Sequence, residues 1–287
     1  MPIDAAQAVA AEPRSTTLTW NHKDVLLYHL GIGAGTPATD PAELRYTLES
    51  RLQVLPSFAT VVGGSLTLAG GLSVPGIDVD LAAVLHGGQT VALQRPIPVR
   101  GSATATSRVS AVHDKGKAAV IVMRSDVADA EGPLWSAESE IYVKGAGGFG
   151  GERGTAARLD APHGPPHLTV ERRIREDQAL LYRLSGDWNP LHADPAFAAK
   201  AGFDRPILHG LCSYGIALKA VVDTALDGDV ARVRSYSTRF TGIALPGETL
   251  RVRMWRESPA PGRIQVTVTA VDRADAPVLG DTVVTHD

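Results

Sequence analysis

Hydrophobic and polar positions along the chain run twice through the same order, a helical stretch followed by short alternating runs. In the first round Asp40-Pro41-Ala42-Glu43 reads as a helix start, with Asp as N-cap, Pro at the first helical position and Glu bonding back to the cap. A helix through about Glu49 is expected. Upstream, Gly31-Ile-Gly33-Ala-Gly35 reads as a helix stop and loop. From residue 76 to about 144 the runs TVALQ, ATSRVSAV, AAVIVM and ESEIYVK predict consecutive antiparallel strands, punctuated by Gly87-Gly88, Lys115-Gly116 and Glu131-Gly132-Pro133. In the second round Asp177 to Leu184 predicts a short helix stopped by Gly186, and Asp194-Pro195 starts another that ends at Gly202. Gly210 opens a longer helix whose residues 211 to 226 are apolar nearly all round, with Lys219 and Asp223 the charged exceptions, so it should be buried. Runs at 249 to 255, 264 to 271 and 278 to 285 predict closing strands, with Pro246-Gly247 and Pro261-Gly262 as turns. Each half is read as helical first and stranded after. The fold class is therefore α+β, two similar units in which an antiparallel sheet wraps a buried helix.

Residues 145 to 168 hold seven glycines and three prolines without periodicity, the composition of a connector. This places an N-terminal domain at 1 to 150, a linker at 151 to 168 and a C-terminal domain at 169 to 287. The length of 287 residues agrees with two domains at about 150 residues each. Hydrophobic residues make up 44% and charged residues 21%, ordinary globular usage that can fill a core. A net charge of −3, spread along the chain, leaves no electrostatic footprint for nucleic acid or an anionic membrane. Cys212 is the single cysteine, which rules out an intrachain disulfide and a Cys-based zinc site and suits a reducing compartment. The start MPIDAAQAVAAEPR carries Asp4 where a signal peptide needs positive charge, so it is read as a loose leader. The uncharged stretch Leu52 to Ile77 exceeds the roughly 20 residues of a bilayer span, but Pro56, Pro75 and two Gly-Gly pairs would break such a helix. It is expected to be buried or cavity-lining chain. The C-terminal VVTHD carries no peroxisomal or ER address, and a cytoplasmic location is expected.

Gly145-Ala-Gly147-Gly-Phe-Gly150 matches GxGxxG after a predicted strand, yet GERGTAARLDAPHGPP cannot form the helix that would hold a pyrophosphate. The second candidate is stronger. Asp187, Asn189 and His192 fall within six residues across an Asn-Pro turn that can aim all three at one concave spot. A carboxylate beside an imidazole forms an acid/base pair, although Asp187 and Asn189 could equally cap local backbone groups. Asp194 reads as the N-cap before Pro195. His209 and Gly210 sit at the N-terminus of the buried helix, where free N–H groups and the helix dipole favour an oxyanion. Ser213 is a near miss to a GxSxG elbow, with Leu211 in place of the first Gly. A two-His, one-carboxylate metal triad of His192, Asp194 and His209 is conceivable but poorly spaced, and a calcium loop from Asp187 fails at Leu191, His192 and Ala198.

The segments YRLSGDWNPLHAD and AGFDRPILHGLCSYG resemble the signature of the R-specific enoyl-CoA hydratase 2 family, the MaoC-like hydratases that include the hydratase domain of the peroxisomal multifunctional enzyme. The likeness continues through YHLGIGAG, LPSFATV, HGGQ, GAGGFGG and ALPGETLRVRMW, nearly the whole chain. The resemblance implies two hotdog folds in one chain, the second one catalytic, and reversible hydration of trans-2-enoyl-CoA to (3R)-3-hydroxyacyl-CoA without metal or redox cofactor. It implies that Asp187 and His192 hold and activate water, that Asn189 assists, and that the Gly210 N–H bonds the thioester oxygen. It also implies that His86, Gly87, Lys115 and Phe240 line the CoA and acyl path, that Tyr28 and Glu49 support the site, and that the N-terminal unit makes room for medium or long acyl tails. A homodimer acting on acyl-CoA, with neither nucleic acid nor membrane as partner, is expected by the same analogy. Two other classes stay open: a dehydratase or thioesterase-like hotdog acting on carrier-protein thioesters, and a non-catalytic acyl-CoA binding protein.

Overall fold

The computed structural model describes residues 3–62, 74–80, 83–154, 158–257 and 262–287. The middle of the uncharged stretch, residues 63–73, and Pro261 of the second predicted Pro-Gly turn lie outside the described residues. Among the described residues the chain forms seven α-helices and ten strands in one antiparallel sheet, ordered β1-β3-β4-β5-β2-β7-β10-β9-β8-β6. The first unit comprises α1 (Ala5–Ala10), β1 (Arg14–Trp20), α2 (His22–Gly31), α3 (Pro41–Thr47), α4 (Ala59–Val62), β2 (Val84–Leu93), β3 (Gly101–Asp114), β4 (Ala118–Asp129) and β5 (Gly132–Lys144). The second comprises β6 (Leu168–Arg173), α5 (Gln178–Tyr182), α6 (Pro195–Lys200), α7 (Gly210–Ala225), β7 (Val233–Phe240), β8 (Thr249–Arg256), β9 (Arg263–Ala270) and β10 (Ala276–His286). The two five-stranded halves join edge to edge where β2 pairs with β7.

The expectation of two helix-in-sheet units holds, with one correction to the order. The second half opens on a strand, β6, before its helices, and in the first half β1 lies between α1 and α2. The run RSTTLTW alternates with only Leu18 and Trp20 buried, a short edge-strand pattern easily taken for loop. The presumed loose leader also contains a helix, α1, capped by Asp4, whose carboxylate accepts from Gln7 N at 2.9 Å. Gly87-Gly88 is likewise no turn. It lies inside β2, where the register against β5 slips by one residue between His86 and Gly88, a β-bulge that relies on the missing side chains. Asp40 accepts from Ala42 N as expected, but Glu43 does not bond back to the cap: its carboxylate accepts from Gly35 N and Lys219 Nζ, Asp40 N donates to the Pro37 carbonyl, and α3 ends at Thr47. The β3–β4 and β4–β5 hairpins fall at Lys115-Gly116 and Glu131-Gly132.

All but three residues of α7 are buried, and the helix packs against β6, β7, β8 and β10, so the second sheet half wraps it. Its middle meets the first unit at Gly215, where a Cβ would sit 2.6 Å from Tyr28 Oη and 2.7 Å from Ile32 Cγ2. Glycine there lets α2 and α7 cross closely. The contact is pinned by a buried charge cluster, in which Lys219 Nζ lies 2.6 Å from Glu43 Oε1 and 2.7 Å from Asp223 Oδ2, while the Tyr46 hydroxyl donates to Asp223 Oδ1 at 2.7 Å. One hydrophobic core runs through both units, and a smaller one lies under α1. No helix of the described residues is long and apolar enough to cross a membrane.

Candidate active site

The β2–β7 ladder covers only residues 88–92 against 235–239, so the strands part beyond Gly88 and Arg239. A cavity of about 490 Å³ opens in the slit, bounded on one side by residues 84–87 and on the other by 239–244. The connection between α5 and α7 forms its inner wall. There Gly186 takes φ +119° and ends the helical run, so that the chain turns and presents Asp187, Asn189 and His192 to one space. Asn189 Oδ1 accepts from Leu191 N at 3.0 Å, and Asp187 Oδ1 accepts from Asn189 N at 3.2 Å. Both side chains therefore cap the local turn, and both residues also line the cavity. Gly210 joins the lining from the first position of α7, its N–H facing an end with no side-chain cap.

His192 Nδ1 donates to the Ile207 carbonyl at 2.9 Å, which leaves Nε2 as the free acceptor. Burial lowers its pKa below the ordinary value, and the neighbouring Asp187 pulls the other way. His209 stacks on it with ring centroids 3.7 Å apart, and burial followed by the His192 charge pushes its pKa down to about 2. His86 also lines the cavity, its ring 4.7 Å from that of Phe240, and burial lowers its pKa to about 4. The Phe240 ring lies against Gly210, where a Cβ would meet it at 3.1 Å. The arrangement offers a carboxylate, a neutral imidazole and an unpaired helix N-terminus around one apolar-lined space.

The cavity thus collects Asp187, Asn189, His192, Gly210, His86, Gly87 and Phe240. Three expected residues are not in its lining. Tyr28 is fully buried against α7, a structural place between the units. Glu49 is exposed in the turn after α3. Lys115, at the tip of the β3–β4 hairpin, donates to the carbonyls of Arg153 and Gly154. The glycine loop has a structural purpose as well: Asp114 accepts from the N–H groups of Gly116, Gly148 and Gly150, at 2.7 to 2.8 Å, so these donors are spent on the protein's own carboxylate. Those three bonds, from Gly148 first, hold the Asp114 carboxyl below its usual range. Asp194 caps α6, as its sequence context predicts, and Ser213 sits inside regular helix rather than on an elbow. The trio able to hold a cation is consequently Asp187, His192 and His209, each offering an atom within 4.8 Å of the others. Arg239, in the lining and paired with Asp281 at 3.1 Å, carries no signal in the sequence, because strand β7 lacks a continuous apolar alternation.

Residues 18–145 match the model for the MFE-2 hydratase 2 N-terminal domain, and residues 158–276 match the MaoC like domain. Enoyl-CoA hydratase ChsH3 of Mycobacterium tuberculosis is 46% identical over 281 residues, 97% of each chain. The peroxisomal enoyl-CoA hydratase 2 of Arabidopsis thaliana is 40% identical, covering 84% of each. Among solved structures, a MaoC-like dehydratase from Phytophthora capsici superposes with a TM-score of 0.88 at 29% identity, covering 99% of this chain and 98% of that one.

Proposed function

The chain belongs to the MaoC-like hydratase 2 family, and from that membership we propose that it hydrates trans-2-enoyl-CoA reversibly to (3R)-3-hydroxyacyl-CoA. The observation that carries the reading is the convergence of Asp187 and His192 with the Gly210 N–H on one cavity. The thioester carbonyl lies against the start of α7. As water adds at C3, negative charge grows on the thioester oxygen, and the Gly210 N–H with the helix dipole stabilises it. One oxyanion donor of this kind contributes roughly 3 kcal/mol to the transition state. The Asp187 carboxylate and His192 Nε2 hold the water between them and take its proton as the C3–O bond forms. The pair then delivers one proton to C2, so the C=C bond is consumed and no net proton is gained or lost. The roles of base and acid belong to the pair. Asn189 fixes the turn that carries both, and every step is performed by the protein's own side chains and backbone.

In this reading CoA stays outside the slit and the acyl tail runs inside, past His86, Phe240 and the apolar side chains of Val84 and Ile141, which line the cavity. Medium and long chains are accepted in this reading, supported by the second apolar cluster, which meets the lining at Ile141. A series of enoyl-CoA substrates of increasing length, followed by loss of enoyl absorbance, tests this; turnover confined to four carbons would reject it. Coupling the product to an R-specific 3-hydroxyacyl-CoA dehydrogenase tests the stereochemistry. The buried Cys212, free of a disulfide, supports work in a reducing compartment, the cytoplasm in our reading. By analogy with the family the chain works as a homodimer in this reading.

A further inference from the structure

We propose that His209 is a positioning residue that holds the Asp187–His192 pair in register with the start of α7. The proposal rests on the hydratase reading for its kinetic consequence but not for its geometry. His209 occupies the N-cap position of α7, where Asp40 and Asp194 in the same role spend their side chains on helix N–H groups. His209 does not: its side chain makes no capping bond, and the residue is only 1% exposed. Its ring turns instead onto His192, stacked at 3.7 Å with 29° between planes, and lies 4.9 Å from the ring of Tyr182. Its Nε2–H donates to the backbone carbonyl of Asp187 at 3.3 Å. One side chain therefore touches both members of the pair, and its own backbone leads directly into Gly210.

The two contacts differ in weight. A bond of 3.3 Å lies at the long end for N–H···O, whereas the stack brings the two ring centroids within 3.7 Å. The Ile207 carbonyl fixes one ring nitrogen of His192, but a single bond leaves the ring free to rock about it. The His209 plate removes that freedom, so that Nε2 faces the water.

The test uses His209→Ala, His209→Phe and His209→Gln in the full-length protein. The phenyl ring keeps the plate without the donor, and the amide keeps a donor without the plate. We expect kcat to fall about a hundredfold in the alanine variant with little change in KM, the cost of about 1 Å of misplacement at a reacting group. Phe should restore kcat to within severalfold of wild type, and Gln should not. Nitrogen-15 NMR of substrate-free protein should show His192 as the Nδ1–H tautomer in wild type and Phe, and as a tautomer mixture in Ala. Unchanged kcat and tautomer in Ala, or Phe as damaging as Ala at equal thermal stability, would overturn the proposal. Should Ala fail to fold, the ranking of Phe above Gln decides it. Wild-type protein without hydratase activity would retract the proposed function, while the NMR comparison would still judge His209.

Discussion

The carbonyl of Ile207 accepts a 2.9 Å hydrogen bond from His192 Nδ1, and with the ring held in place this contact leaves Nε2 as the nitrogen that can work as a base. Burial is the larger influence on the imidazole, moving its pKa below the ordinary 6.5. At neutral pH the ring is therefore uncharged, with its Nε2 lone pair available. The acid limb of the kcat/KM profile, which reports the free enzyme, should lie below pH 6.5, with activity lost as pH falls through the depressed pKa. A limb above that value would contradict the buried, neutral imidazole.

Gly210 lends itself to a clean dissection. Proline is tolerated at the first helical position, where the N–H has no intrahelical partner, and His209 already has the extended backbone that must precede proline, with φ −57° and ψ 134°. Gly210→Pro removes the donor, and kcat should drop by about 10²- to 10³-fold. Gly210→Ala keeps the N–H while pressing a methyl group on Phe240, where only 3.1 Å is open, so it controls for crowding. The donor role requires Ala to retain clearly more activity than Pro, with similar melting temperatures.

Buried neutral imidazoles make stability depend on pH. His29 donates from Nδ1 to the Tyr46 carbonyl and accepts at Nε2 from Leu55 N, and burial depresses its pKa from 6.5 to about 4. Below pH 6.5 the unfolded chain takes up a proton that the folded state refuses. The stability contributed by this residue is thus complete above 6.5 and lost progressively down to about 4. The loss amounts to about 3 kcal/mol at most for such a group. Urea midpoints measured from pH 7 to pH 4 should fall accordingly, and His29→Phe should flatten the slope.

Much of this architecture is legible in the sequence because its signals are local. Asp40-Pro41 and Asp194-Pro195 announce caps, the apolar face of 211 to 226 announces burial, and Asn189-Pro190 announces the turn that gathers Asp187 and His192. What escapes is set by distance in the chain. The slit exists because β2 and β7, about 150 residues apart, stop pairing at Gly88 and Arg239, and no periodicity in either strand records that. His209 gives no hint of its partner, since a histidine before a helix reads as a terminus and its ring contact depends on the path of residues 193 to 208. Lys115 and Glu49 carry the right chemistry at matching motif positions, yet folding commits one to backbone carbonyls and leaves the other in solvent.

The Lys219 cluster joins α3 of the first unit to α7 of the second and does so almost without water, with the Lys219 side chain 6% exposed. Removing the ammonium would leave the half-buried Glu43 without its cation and facing Asp223, which keeps the more distant Arg172 at 3.9 Å as its cation. Lys219→Ala should therefore cost about 3 to 5 kcal/mol, the usual penalty for a buried charge stripped of its partner. Denaturant unfolding checks this. A loss below 1 kcal/mol, the range of a surface ion pair, would show that solvent reaches the cluster.

The central claim is that Asp187 and His192 together add water to an enoyl thioester. The most direct measurement follows enoyl absorbance with crotonyl-CoA for the wild type, Asp187→Asn and His192→Ala, with circular dichroism as a check on folding. The account predicts rapid loss of absorbance in the wild type and a fall of at least about a thousandfold in each folded variant, within the range expected for a lost acid/base group. Wild-type rates in either variant would contradict it.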